Sequence, residues 1–144
     1  MIFSAQDEFS NKQAVTASAA STNYIDLLAI GTPYGAAAAL NRDLGKGRLI
    51  PVFIGVTTAF ATLTSLKVAV QTDDNTSFSS PTTVLETEAI PVASLIAGYQ
   101  FNIQNIPLAT TERYVRLYYT VAGSNATAGN IQAGVTMGNQ QAPI

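Results

Sequence analysis

The residues of this chain best equipped for chemistry are carboxylates. Asp73, Asp74 and Asn75, followed by Glu86 and Glu88, make up the densest set of oxygen ligands, and a hard cation such as calcium takes six to eight oxygens in one place. That set is too sparse for a cage, and the EF-hand spacing is absent. The same triplet is ordinary β-turn chemistry, in which Asp and Asn side chains bond their own backbone. Glu86 and Glu88 stand two apart, so on a strand they share a face, as a general acid and base would need to. Charges on one face of a strand are more often simply its wet side. Serines and threonines are plentiful, yet a nucleophilic serine normally borrows a histidine base, and the chain has no His and no Cys. We therefore assign no catalytic, metal or cofactor residue, and expect a protein that is not an enzyme.

Two other groups carry side chains suited to holding a partner. Arg42, Asp43, Lys46 and Arg48 lie in or beside a glycine-flexed stretch from Gly31 to Gly47, where charged groups can dock on an oppositely charged surface. Tyr114, Arg116 and Tyr118 alternate along one run and so fall on one face of a strand. Aromatic and Arg side chains are enriched at protein interfaces, and aromatic rings also stack on sugars. A plain solvent loop and a covered sheet face would explain the same residues.

The elements that must position these groups read as strands. Alternation predicts them over residues 13–18, 24–28, 48–56, 66–71, 82–87, 89–95, 100–103, 113–121 and 130–137. Ile50, Val52, Ile54 and Val56 share a face, as do Val115, Leu117, Tyr119 and Val121, and Ile131, Ala133, Val135 and Met137 are expected inward. Turn chemistry falls at Asp73–Asn75, Ala97–Gly98 and Gly123–Asn125, and residues 36–40 could form one helical turn within the long irregular loop. About eight short antiparallel strands without an amphipathic helix point to an all-β fold, a jelly-roll β-sandwich with one long irregular loop.

Composition limits what such a shell can do. The 144 residues fit one domain, 1–144, with residues 1–12 as an N-terminal arm. Only 11% are charged against roughly a quarter in ordinary domains, so part of the surface is expected to be covered. The net charge is −2 and the seven basic residues are scattered, which leaves no stripe to follow a phosphate backbone and no nucleic-acid partner. The opening residues lack the pattern of a secretory signal, and no apolar run approaches the ~20 residues of a membrane helix.

Several segments together resemble a known family. They are Thr22–Leu27, Gly31–Leu40, Arg42–Gly47, Gln71–Asn75 with Phe78, and Glu112–Tyr119. In this order they resemble the capsid cement proteins of tailed bacteriophages, of the type described for a Bordetella phage. The resemblance implies a jelly roll made in the bacterial cytoplasm and carried on the outer surface of the virion capsid. It also implies binding to the major capsid protein and self-association as a dimer or trimer. It brings no catalytic or metal residues with it. The alternative is a carbohydrate-binding, lectin-like jelly roll, kept open by six tyrosines although the chain has no Trp.

Overall fold

The structure is a computed structural model, and it describes residues 2–138. Met1 of the expected arm and residues 139–144 of the expected domain lie outside the described residues. Among the described residues there are seven strands and no α-helix: β1 (Phe3–Ala14), β2 (Ala19–Ala20), β3 (Ile25–Asp26), β4 (Val52–Asp73), β5 (Thr82–Glu86), β6 (Ile90–Pro91) and β7 (Tyr114–Thr136). They form one antiparallel, curled sheet in the order β1-β7-β4-β5, with β2 and β3 on β7 and β6 on β4. The fold is thus all-β, as the alternation predicts.

Its frame is a single long ribbon. β4 has 22 residues and β7 has 23, and they pair from Val52 opposite Val135 to Asp73 opposite Tyr114. The expected strands 48–56 and 66–71 are accordingly one strand, and so are 113–121 and 130–137. Gly123–Asn125, expected as a turn, lies inside β7. The reason is a series of register shifts between Val56 and Ser65, which bend the ribbon without breaking it, as bulges do. Thr62 stitches the bend: its Oγ1 donates to the Asn125 carbonyl at 2.9 Å and accepts from the Thr127 amide at 3.0 Å.

The bend turns one ribbon into two layers. On one side of it, β1 lies against the last third of β7, and residues 99–106 run along the start of β4. Phe101 N donates to the Ile54 carbonyl and Val52 N to that of Gln104, at 2.9 and 2.8 Å. Residues 100–103, expected as a strand, are therefore extended beside the sheet with only an isolated bridge, Gly55 to Gln100. On the other side, β2 and β3 flank the start of β7 while β5 and β6 flank the end of β4. Val52, Ile54 and Val56 from the first layer share one core with Leu66, Val68, Val70, Val115, Leu117 and Tyr119 from the second.

The expected N-terminal arm contributes to this core. Within it, β1 pairs with β7, and Phe9 is completely buried. Tyr119 is buried too, and its hydroxyl meets Ser10 Oγ across the layers at 2.7 Å. A buried phenol must find such a partner, and burial pushes its pKa well above the ordinary value. Residues 16–18 bend away where a strand was expected, β6 is followed by a 3-10 turn at Val92–Ser94, and no helical turn forms over 36–40. Met137, expected inward, is 87% exposed because β7 ends at Thr136.

Candidate functional site

The alternation that puts Val115, Leu117 and Tyr119 into the core puts Tyr114, Arg116 and Tyr118 on the outside of the second layer. There they meet residues from distant parts of the chain. The Arg116 guanidinium lies 4.1 Å from the centre of the Phe78 ring and 5.7 Å from that of Tyr118. Phe78 and Tyr24 stand 6.0 Å apart, and Tyr24 meets Tyr114 edge to face at 5.5 Å. Arg113 covers the other end, 5.0 Å from the Tyr114 ring. The result is a continuous ladder of rings and guanidinium groups, a geometry that is attractive through ring quadrupoles and cation–π contacts.

Each rung is fixed by local chemistry. Arg116 Nε donates to Gln71 Oε1 on the neighbouring strand at 2.9 Å. Asp73 Oδ1 accepts the Asn75 amide and Oδ2 the Ser80 amide, both at 3.0 Å, which closes the loop that carries Phe78. The Asp73–Asn75 triplet is thus a turn, as its residue types suggest, and Asp73 spends its carboxylate on backbone N–H groups. At the far end Arg113 grips Asp26 through two bonds of 2.7 and 2.8 Å. That bidentate bond holds the Asp26 carboxyl at about 2, below its ordinary 3.8.

The ladder changes the reading of its members. Tyr114 is only 8% exposed, covered by Tyr24 and Arg113, so it supports the face and Tyr118 and Arg116 are the more accessible part. Tyr24, Phe78 and Arg113 were missed in the sequence. Phe78 did carry a signal: it is a lone aromatic in the polar run Asn75–Ser80.

The loop group is dispersed by the structure. Arg42 Nη2 donates to the carbonyls of Leu27, at 2.9 Å, and Leu28, and so clamps the two stems of the loop together. Asp43 Oδ1 accepts the Gly45 amide at 3.1 Å in a tight turn. Gly45 has no room for a side chain, since a Cβ would lie 2.3 Å from the Pro107 carbonyl oxygen. Arg42 and Asp43 therefore shape the loop, and Lys46 and Arg48 remain exposed beside it. Between the stems, residues 28–41 are all exposed and none is charged.

Glu86 and Glu88 are not a matched pair. Glu86 is bound to Lys67 Nζ at 3.1 Å, while Glu88 lies beyond the end of β5. Both border an open cleft of about 380 Å³ between Leu85–Ile90 of one layer and Tyr99–Ile103 of the other. Among the described residues no group of three or more His, Cys, Asp or Glu could hold a metal ion. No helix among them is long and apolar enough to cross a membrane.

Comparison with known proteins agrees with the resemblance in the sequence. A protein-family model, Bbp16, matches residues 9–135. No curated protein matches the chain.

Proposed function

The chain belongs to Bbp16, a Bordetella phage protein family, and on that premise we propose that it is a non-enzymatic structural component of the virion. In this reading it decorates the outer surface of the capsid, bridges neighbouring major capsid protein subunits and associates with copies of itself. Contacts with two subunits reinforce one another, because the second forms at high effective concentration. A stable attachment of this kind buries at least ~1,000 Å² in total.

The observation that carries the reading is the run of exposed, uncharged residues 28–41, whose first residue, Leu28, is tied through Asp26 to the Arg113 end of the ring and guanidinium ladder. Large apolar surface left in solvent marks a place meant to be covered. Arg116 and Tyr118 supply the side-chain types that anchor interfaces, and Lys46 and Arg48 are free to meet carboxylates on the capsid.

Purified chain added to expanded heads that lack it should co-sediment in fixed proportion to the major capsid protein and raise resistance to heat and osmotic rupture. Failure to bind would remove the proposal. The cleft between Leu85 and Ile103 favours a second reading, since its volume of about 380 Å³ lies in the range of small-ligand sites. A glycan array would then report specific binding, lost when Tyr99 or Asn102 is replaced by alanine.

A further inference from the structure

Loops exposed to water are ordinarily polar, and residues 28–41 depart from that rule in a specific way. Leu28, Ile30, Tyr34 and Leu40 are all large, apolar and exposed. At the tip the Ala36 amide donates to the Pro33 carbonyl at 3.0 Å, and Gly35 has φ +80. That is the third position of a tight turn, where a left-handed backbone favours glycine. Tyr34 is therefore the second residue of the turn and stands wholly free of the protein. Behind it the Leu40 amide donates to the Gly31 carbonyl at 3.0 Å, which closes the loop on itself. A preformed loop has less conformational freedom to lose on binding.

A receptor for such a side chain exists on the same molecule. Beside β1 and β3, an apolar pocket of about 180 Å³ opens to the surface, walled by Phe9, Ile25, Ile106 and Val115. Sites for small molecules are larger, roughly 300 Å³ and above, whereas an apolar cavity of about 150 Å³ accepts a benzene ring. The space is that of one aromatic side chain. Its single ionisable lining residue is Asp7, whose carboxylate has no hydrogen-bond or ion-pair partner among the described residues. Tyrosine, with an apolar ring and a donor at its end, matches both features.

We propose that Tyr34 of one copy of the chain fills this cavity in a second copy, its hydroxyl donating to Asp7, and that the exchange is reciprocal about a two-fold axis. Leu27 and Leu44, from the two stems of the loop, also line the cavity, so knob and hole belong to one continuous patch. A patch that holds both halves of a contact pairs with itself across a two-fold. The stems are fixed by Arg42 and by the fit of Gly45 against Pro107, which directs the loop outward and leaves the cavity of its own copy open. This inference rests on the self-associating part of the reading above and gives it a contact.

Sedimentation velocity at micromolar concentration tests it, with thermal unfolding as a check of folding. The wild-type chain should be a dimer, and Tyr34→Ala should weaken dimerisation by about 30-fold or more, as loss of a buried aromatic anchor does. Tyr34→Phe, which keeps the ring, should lose only several-fold. Ile25→Phe, filling the cavity, should also give monomer, and mixing it with Tyr34→Ala should restore a dimer, because one intact knob then meets one intact hole. A monomeric wild type, a trimer or larger ring, or a Tyr34→Ala chain that still dimerises would each overturn the inference. Head binding is measured separately. A chain that dimerises through Tyr34 but ignores heads sinks the decoration reading alone, and a chain that binds heads as a monomer sinks this inference alone.

Discussion

The ladder on the second layer and the loop over residues 28–41 are both rich in apolar or aromatic surface, yet they are held in opposite ways. In the ladder, every ring has a neighbour: Tyr24 touches Phe78 and Tyr114, and Arg116 lies on Phe78. In the loop, Arg42, Asp43 and Gly45 secure the stems while Tyr34 touches nothing at the tip. The difference teaches how to separate folding from docking. Side chains that already have partners contribute to the stability of the monomer, and side chains held out on a fixed loop contribute only when a partner arrives.

That comparison can be broken at three points. The largest effect is expected at Phe78, which is 6% exposed and joins Tyr24 to Arg116. Phe78→Ala should cost about 3 kcal/mol in urea unfolding, as loss of a buried phenyl ring typically does. A loss below ~0.5 kcal/mol, the range of surface changes, would mean that the ladder is not a packed unit.

An intermediate effect is expected from pH. The Asp26 carboxyl titrates at about 2 in the folded chain against an ordinary 3.8, so its folded state is favoured when ionised. The bond to Arg113 therefore contributes stability that is fully present above about pH 4 and is lost as pH falls towards about 2. Asp26→Asn should be less stable than wild type at about pH 5, with the gap closing as acid is added. A constant gap across that window would detach the ion pair from the ladder's stability. Residues 28–41 have no carboxylate of their own, but Asp26 Oδ1 also accepts the Leu28 amide at 2.8 Å, so the same titration loosens the first residue of the loop.

The smallest effect on folding is expected at the loop tip. Measured at concentrations low enough that both chains are monomeric, Tyr34→Ala should leave the free energy of urea unfolding within about 0.5 kcal/mol of wild type. A larger change would show that the tip packs on its own chain, and would erase the contrast.

Much of this was legible from residue order, and the failures have definite causes. The inward sets Val52, Ile54, Val56 and Val115, Leu117, Tyr119 follow from a period of two, and all are buried. The same period put Tyr114, Arg116 and Tyr118 together outside. The turn expected at Gly123–Asn125 failed because glycine and asparagine suit a bulge in a bent strand as well as a reversal, and Thr62 from the opposite strand decides between them. Phe9 was hidden because β1 mixes exposed and buried positions around its register shifts. Arg42 was read as a docking group for lack of any sign in the sequence that the carbonyls of Leu27 and Leu28 would come within its reach.

The sequence by itself determined the all-β character, the absence of histidine and cysteine chemistry, and the faces of the strands, since these depend on residue types and on neighbours one or two positions away. The tertiary structure alone decided that four predicted strands are two, that Tyr24 and Phe78 join the ladder, and that a cavity edged by Asp7 opens beside the stems of the Tyr34 loop. Those outcomes depend on where a long ribbon bends and which distant segments it brings together. No local preference encodes that, because it is settled by the burial of the two layers against each other.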